Sequence, residues 1–410
     1  MEFPTPIAAS RASTAASSVR DIPCTKVPKV DFCCEISCKI SAKEHFSKII
    51  DAANCWLGSS GLTVALGGHD PQRVGVPLLA RCCRSIRIEP LKPRCSPLLL
   101  PAASGGGGGP FSAAFASSSS SSSSSSTEAA PLLFPYCQAR FAVLPYLLHE
   151  GPLQGGPLDL GSEEESGKVF QQWLLPNEDF EGLWANLHFS QNTKDTLLDY
   201  ASTALLFADK SVDSKLITWN RVLLLHGPPG SGKTSLCKAL GQRLAIRLSR
   251  NFGSFLFVSL NSSFLFSRWF GESGKVVVRV FELLLQRMQQ QSSFLFVLID
   301  EVESLAAARA AAAKTPEPSD AARAVNALLT QMDLFSRSPN GLILTTSNLA
   351  ESCDPAFLDR ADLKLHIPCP NSNCRFAILE SCIEELIRTK LVEPGSHTRF
   401  SFPPGPEASE

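Results

Sequence analysis

A glycine-rich segment near the middle of the chain has the residue types and the spacing to bind phosphate. Its residues are Gly227, Pro228, Pro229, Gly230, Ser231, Gly232, Lys233, Thr234 and Ser235. Glycines let the backbone turn tightly, so successive N–H groups can surround a pyrophosphate without side-chain interference. Lys233 adds a mobile positive charge, and Thr234 adds a hydroxyl suited to Mg²⁺. The spacing therefore predicts a phosphate-binding loop with a magnesium ligand.

The elements that flank this segment support the same interpretation. Apolar residues from Val222 onwards are typical of a buried strand that enters the loop, and residues 235–248 have the pattern of a helix. The N-terminal end of such a helix carries the equivalent of about half a positive charge, which favours a phosphate. A glycine-rich turn that matches by chance would lack this strand and this helix.

Two acids follow the second apolar strand predicted after the phosphate loop. Residues 294–299 are apolar and lead directly into Asp300 and Glu301. An aspartate at the carboxyl end of a strand is placed to hold the hydration shell of Mg²⁺, and Glu301 is placed to polarise an attacking water. The alternative is a strand that ends in a solvated acidic turn. The phosphate loop favours the catalytic interpretation.

A polar residue also follows the strand predicted over residues 342–346. Asn348 at this strand end is expected to lie between the two acids and the γ-phosphate, where it would orient the water. An asparagine also caps loops for purely structural reasons. The order of the strands favours the first role.

The alternation of strands and helices predicts an α/β fold. Apolar strands at 254–260, 294–299 and 342–346 alternate with helical patterns at 274–290 and 320–332. Nearly continuous apolar strands indicate a parallel sheet with helices on both faces. We assign residues 171–370 to this large domain. A further helix at 374–391, within residues 371–393, is expected to form part of a helical lid.

The first part of the chain is uneven in composition. Strand-like patterns at 31–40, 78–89 and 136–143 and a helical pattern at 42–53 predict a small α/β domain over residues 29–148. A glycine and serine insertion at 92–131 interrupts this domain and is expected to be disordered. Residues 1–28 are interpreted as a disordered tail rather than a transit peptide, 149–170 as a linker and 394–410 as a tail.

Composition excludes several classes of protein. The formal net charge of −1 gives no electrostatic reason to expect direct binding to nucleic acid. No apolar run approaches the roughly 18 residues that span a bilayer, so we expect no membrane association. The 14 cysteines lack both the framework of a small secreted domain and the paired spacing of a zinc site, which favours reduced thiols.

The phosphate loop, the Asp-Glu strand and the Asn-ended strand, in this order, resemble the AAA+ ATPase module. The surrounding residues at 216–240, 266–275, 296–306, 317–333 and 344–362 narrow the resemblance to the pachytene checkpoint protein 2 family. Members of that family are AAA+ ATPases that remodel HORMA-domain proteins. The resemblance covers residues 173–394 and is faint over residues 29–143.

This resemblance implies a function for the whole chain. It implies binding of ATP and Mg²⁺, hydrolysis, and a homo-oligomeric ring that is hexameric by family analogy. It also implies partial unfolding of a HORMA-domain partner, directly or through an adaptor that the 29–148 domain recognises. The family acts in meiotic chromosome axis and spindle checkpoint control, which implies the nucleus, chromosomes and cytoplasm as locations.

Two further sites are implied by the resemblance alone. Trp269, Phe270 and Gly271 resemble the first pore loop of AAA+ unfoldases, where an aromatic side chain grips an extended polypeptide without reading its sequence. Arg360 lies where an AAA+ subunit offers an arginine to the γ-phosphate of its neighbour. The alternatives are core packing for Trp269, and for Arg360 a salt bridge with Asp359 or Asp362.

The chain departs from the family after the 374–391 pattern. Family members continue into a helical lid with a second sensor arginine, whereas residues 394–410 contain Pro, Gly and Ser, and Arg388 is not at a matching position. Two alternatives to HORMA remodelling therefore remain. One is an AAA+ ATPase with another protein-remodelling task, and the other is a nucleotide-binding scaffold with impaired turnover.

Replacement of the pore-loop aromatic tests the resemblance directly. We expect Trp269→Ala to leave ATP binding intact and to stop remodelling, because the ring would grip the substrate without contacting the nucleotide. Nucleotide titration and a substrate-unfolding assay measure the two effects separately. A variant that still remodels its substrate would refute the pore role.

Overall fold

The computed structural model describes most of the globular part of the chain. The described residues are 30–59, 63–91, 133–135, 139–153, 170–189, 192–210, 212, 216–217, 219–261, 273–289, 293–304, 320–349 and 353–392. The predictions for the tails at 1–28 and 394–410, the insertion at 92–131 and the triplet Trp269, Phe270 and Gly271 lie outside these residues.

The N-terminal part contains a four-stranded sheet with helices. Its elements are β1 (Val30–Cys38), α1 (Phe46–Ser59), β2 (Thr63–Ala65), β3 (Gly67–His69), α2 (Pro77–Cys82), β4 (Cys83–Pro90), β5 (Leu133–Pro135) and β6 (Ala139–Leu147), with a 3₁₀ helix at Ile40–His45. The strand order is β3-β4-β1-β6, with β1 antiparallel to β4 and parallel to β6. As expected, strands from both sides of residues 92–131 join one sheet.

The prediction of a single strand over residues 78–89 was wrong. The structure has helix α2 over the first part and strand β4 over the rest. Pro77 occupies the first turn of α2, where its fixed φ favours a helix start. Leu79 and Cys82, three residues apart, are both buried, which matches the spacing of one helical face.

The second part of the chain is the predicted α/β domain. Its elements are β7 (Phe170–Leu175), α3 (Leu183–Asn186), α4 (Thr193–Asp209), β8 (Val222–His226), α5 (Lys233–Arg247), β9 (Ser254–Asn261), α6 (Ser273–Met288), β10 (Ser293–Asp300), α7 (Asp320–Phe335), β11 (Gly341–Ser347), α8 (Pro355–Leu358), β12 (Leu363–His366) and α9 (Ser372–Arg388). The sheet order is β12-β8-β11-β10-β9-β7. Neighbouring strands from β12 to β9 are parallel, and β7 adds an antiparallel edge that the sequence did not predict.

The fold class is confirmed by how this sheet is buried. The central strands β8, β10 and β11 contribute side chains to two apolar cores, one on each face of the sheet. Helices α6 and α7 pack on one face, and α4 and α5 pack on the other. Burial on both faces explains why these strands are apolar throughout rather than alternating.

Helix α9 is the described part of the region predicted as a partial lid. Its N-terminus is capped by Asn371, whose side chain accepts a hydrogen bond from the N–H of Cys374. The apolar side chains Phe376, Leu379 and Leu386 are exposed. Among the described residues, no helix is long and apolar enough to cross a membrane.

A buried cluster of charges joins helix α5 to the four-stranded N-terminal sheet. Arg243 contacts Glu35 of β1 at 2.5 Å and also pairs with Glu89 of β4. Arg247, one turn later, lies 3.4 Å from Glu35. The side chains of Arg243 and Glu35 are only 5% and 4% exposed, so each charge depends on its partner. The helix that follows the phosphate loop is therefore attached directly to the N-terminal sheet.

We expect Glu35→Gln to destabilise the full chain by about 3–5 kcal/mol, because it leaves a buried guanidinium short of one negative partner. Urea denaturation followed by circular dichroism measures this change. The matched control is Glu178→Gln, which breaks the half-exposed pair with Arg84 and is expected to cost no more than about 1 kcal/mol. Equal effects of the two variants would contradict a stabilising role for the buried cluster.

Candidate functional site

The predicted phosphate loop connects the end of β8 to the start of α5. Three of its glycines have positive φ angles, with values of 148° at Gly227, 75° at Gly230 and 86° at Gly232. A side chain at Gly227 is also excluded by space, since a Cβ there would lie 2.1 Å from the carbonyl oxygen of Ile367. The buried hydroxyl of Ser231 has no hydrogen-bond partner among the described residues. This loop therefore has the geometry and the free polar groups of a phosphate cradle.

Lys233 lies inside the loop at the first turn of α5. Its ammonium group donates hydrogen bonds to the carbonyl oxygens of Gly227 at 2.9 Å and Pro228 at 2.8 Å. Burial lowers the pKa of Lys233, and the nearby carboxylates, of which Glu303 has the largest effect, oppose that change. The ammonium group is thus held among neutral carbonyls, from which a phosphate can attract it.

The loop and the acidic strand end are in direct contact. The hydroxyl of Thr234 donates to the two carboxylate oxygens of Asp300, at 3.0 and 3.1 Å. A hydroxyl and a carboxylate are the hard oxygen donors that Mg²⁺ prefers, so this pair fits the ion that the sequence implies. The structure therefore brings together two sequence-predicted residues that belong to different motifs.

Thr346 links the two acids and was not predicted as a site residue. Its hydroxyl donates to the carboxylate of Asp300 and accepts from the backbone N–H of Glu301 at 3.2 Å. Glu301 has a φ of 57°, a left-handed conformation that is uncommon for a residue with a side chain. Such strain concentrates at functional sites. Thr346 thereby holds the strained turn that presents the Glu301 side chain, which is exposed.

Asn348 lies at the expected strand end, but its amide has a different partner from the one expected. The side-chain Nδ2 donates to Oε1 of Glu303 at 2.9 Å, and the backbone N–H donates to the same oxygen at 3.2 Å. Sequence reasoning placed Asn348 beside Asp300 and Glu301 and did not name Glu303. A third acid so close to the Asp-Glu pair was the signal that could have identified it.

Arg360 is paired within its own chain. Its Nε and Nη2 atoms donate to the two carboxylate oxygens of Asp333, at 2.7 and 2.8 Å. This hydrogen bonding raises the pKa of Arg360. The proposed alternative of an internal salt bridge is therefore right in kind, but the partner is Asp333 rather than Asp359 or Asp362. Asp362 instead accepts hydrogen bonds from Tyr200 and from the backbone of residues 220–221.

Residues 223–369 match the family model described as ATPase family associated with various cellular activities (AAA). The matched residues extend from β8 to just beyond β12. They include all three loop glycines, the two acids, Asn348 and Arg360.

Relatives extend the match beyond this domain. Pachytene checkpoint protein 2 homolog of Sus scrofa is 51% identical over 243 residues, which are 59% of this chain and 56% of that protein. The human homolog is 50% identical over 243 residues, with the same two shares. The solved structure of C. elegans PCH-2 superimposes with a TM-score of 0.66 at 28% identity, covering 90% of this chain and 81% of that one.

Over 59% of its length, the chain is about 50% identical to proteins named pachytene checkpoint protein 2 homolog. It spans about 56% of the length of the curated mammalian relatives. Because the similarity to PCH-2 covers 90% of this chain, it includes residues of the N-terminal part as well as the AAA domain. The similarity to these relatives thus confirms the resemblance first suggested by the loop, the acids and the asparagine.

The hydroxyl of Thr346 offers a test of the site geometry. We expect Thr346→Val to lower turnover about 10- to 100-fold with little effect on nucleotide affinity, because a hydrogen bond to a charged group contributes roughly 1.5–3 kcal/mol. Steady-state kinetics and nucleotide titration measure the two effects. The matched control is Thr345→Val, since Thr345 is equally buried but donates to the carbonyl of Leu223 within the sheet. An equal loss of turnover in both variants would contradict a specific role for Thr346.

Proposed function

We propose that the chain binds ATP and hydrolyses it at the edge where β8, β10 and β11 end. The observation that carries this proposal is the contact between Thr234 and Asp300, which joins the phosphate loop to the acidic strand end. A phosphate loop alone supports binding only. The acids beside it provide the groups that hydrolysis requires.

Each residue has a separate task in this proposal. The backbone N–H groups of the loop and the N-terminus of α5 bind the phosphates, and Lys233 exchanges its carbonyl partners for a phosphate oxygen. Thr234 and Asp300 would hold Mg²⁺, which would neutralise charge on the phosphates. Glu301 accepts a proton from the attacking water, and Asn348 orients that water.

The protein partner is proposed from the similarity to pachytene checkpoint protein 2 homologs. The N-terminal sheet would bind HORMA-domain proteins, either directly or through an adaptor. A homo-oligomeric ring, hexameric as in the family, would then partly unfold them. Trp269 would grip the substrate in the pore, and Arg360 of one subunit would reach the nucleotide of the next. The corresponding setting is meiotic chromosome axis and spindle checkpoint control, in the nucleus, on chromosomes and in the cytoplasm.

Glu301→Gln tests the hydrolytic part of the proposal. We expect this variant to bind ATP as tightly as the unmodified chain and to lose turnover by at least about 100-fold, since the amide cannot take the proton. Lys233→Ala provides the contrast, because it removes a phosphate contact and is expected to lose binding as well. Full turnover in Glu301→Gln would remove Glu301 from the mechanism.

ATP hydrolysis by the unmodified chain, measured with and without a HORMA-domain protein, tests the task of the enzyme. Stimulation by the HORMA protein would support remodelling of that partner. Turnover that the HORMA protein leaves unchanged would favour an AAA+ ATPase with another remodelling task. Tight ATP binding without turnover would favour a nucleotide-binding scaffold.

A further inference from the structure

Glu303 lies in the turn after β10, two residues beyond Glu301, and contacts a separate part of the site. Its Oε1 atom accepts two hydrogen bonds from Asn348, one from Nδ2 at 2.9 Å and one from the backbone N–H at 3.2 Å. Hydrogen bonds to an ionised acceptor are about twice as strong as neutral ones. The two bonds together restrict both the backbone and the side-chain amide of Asn348.

The second carboxylate oxygen of Glu303 points to a role beyond stability. Oε2 is buried and has no hydrogen-bond partner among the described residues. Leaving a buried polar atom without a partner costs about 1–3 kcal/mol, and more for a charged group. A carboxylate that served stability alone would be expected to satisfy both oxygens. The unpartnered Oε2 therefore lowers the stability of the fold, and a position in the functional site can explain why this cost is tolerated.

The surroundings place Glu303 at the nucleotide site. Of the three carboxylates that act on the ammonium group of Lys233, Glu303 has the largest electrostatic effect, ahead of Asp300 and Glu301. Glu303 thus lies close to both the phosphate-binding lysine and the proposed water-orienting asparagine. No other acid among the described residues is hydrogen-bonded to Asn348.

We propose that Glu303 is a positioning residue, which orients the amide of Asn348 for ATP hydrolysis through the two hydrogen bonds to Oε1. This inference rests on the proposed function, because it assigns the hydrolytic role to the same site. Glu303 acts through Asn348 and does not itself contact the reacting atoms. Its effect should therefore appear in kcat rather than in nucleotide binding.

Two substitutions distinguish the effect of the hydrogen bonds on kcat from the effect of side-chain volume. Glu303→Gln keeps an oxygen that can accept both bonds, whereas Glu303→Leu keeps similar volume and accepts none. We expect Glu303→Leu to lower kcat about 10- to 100-fold with KM and ATP affinity within about threefold, as for residues that orient a functional group. Glu303→Gln should retain most of the activity.

A double-substitution cycle tests whether the effect passes through Asn348. If Glu303 acts only by orienting this amide, Glu303→Leu combined with Asn348→Ala should be no slower than Asn348→Ala alone. If the double variant instead loses kcat by the product of the two single losses, the positioning role is overturned. Equal loss of kcat in the Gln and Leu variants would also overturn it, since the charge rather than the hydrogen bonds would then matter.

Hydrogen–deuterium exchange at the backbone N–H of Asn348 provides a readout that is independent of activity. We expect Glu303→Leu to expose this N–H to faster exchange and Glu303→Gln to protect it. Unchanged exchange in the Leu variant would overturn the contact itself. The matched control is Glu282→Gln on the surface of α6, where the carboxylate pairs with Arg279 and no change in kcat or exchange at Asn348 is expected.

The same measurements distinguish failure of this inference from failure of the proposed function. If the unmodified chain binds ATP without turnover, the proposed hydrolysis fails and the positioning role in hydrolysis fails with it. If the unmodified chain hydrolyses ATP but Glu303→Leu does so equally fast, only the inference about Glu303 is overturned.

Discussion

Parallel hydrogen bonding between β8, β11 and β10 is the constraint on which the candidate site depends. The register pairs Ser347 with His226 and Thr345 with Ile299, so the three strands end at the same edge of the sheet. Segments that are distant in the chain therefore meet there. Thr234 and Asp300 are 66 residues apart in sequence, yet they are in hydrogen-bond contact. Without this register, the phosphate loop and the acids would be separate features with no shared chemistry.

Helix α5 connects this edge of the sheet to the N-terminal sheet. Its first turn carries Lys233 and Thr234, and its last two turns carry Arg243 and Arg247, which pair with carboxylates of the N-terminal sheet. A helix of 15 residues is about 22 Å long and behaves as a rigid rod on this scale. The phosphate loop and the N-terminal sheet are therefore connected through one helix.

The sequence predicts the features that are encoded locally and misses those that depend on contacts between distant segments. The loop, the two acids and Asn348 are short motifs at strand ends, and the apolar pattern identifies the strands that carry them. Thr346 and Glu303 lie next to these motifs, but their roles depend on hydrogen bonds across 45 or more residues. The pairing of Arg243 with Glu35 spans 208 residues and leaves no local pattern. Helix α2 was missed because a short apolar run fits a helix and a strand equally well.

Two arginine clusters among the described residues, one at Arg243 and one at Arg360, differ in how easily they can exchange partners. Arg243 is almost fully buried, and breaking such a pair costs about 3–5 kcal/mol, so its contacts are expected to persist in the folded chain. Arg360 and Asp333 have side chains that are 28% and 47% exposed, and surface pairs contribute only about 0–1 kcal/mol.

The backbone around Arg360 is nevertheless fixed, because Asn220 donates to its carbonyl oxygen and Asp362 is held by Tyr200. The guanidinium, which also donates to the carbonyl oxygen of Ala356 at 2.6 Å, is therefore easier to release than the buried guanidinium of Arg243. A phosphate of a neighbouring subunit carries more negative charge than the carboxylate of Asp333, so the observed pairing is compatible with the proposed arginine finger rather than an argument against it.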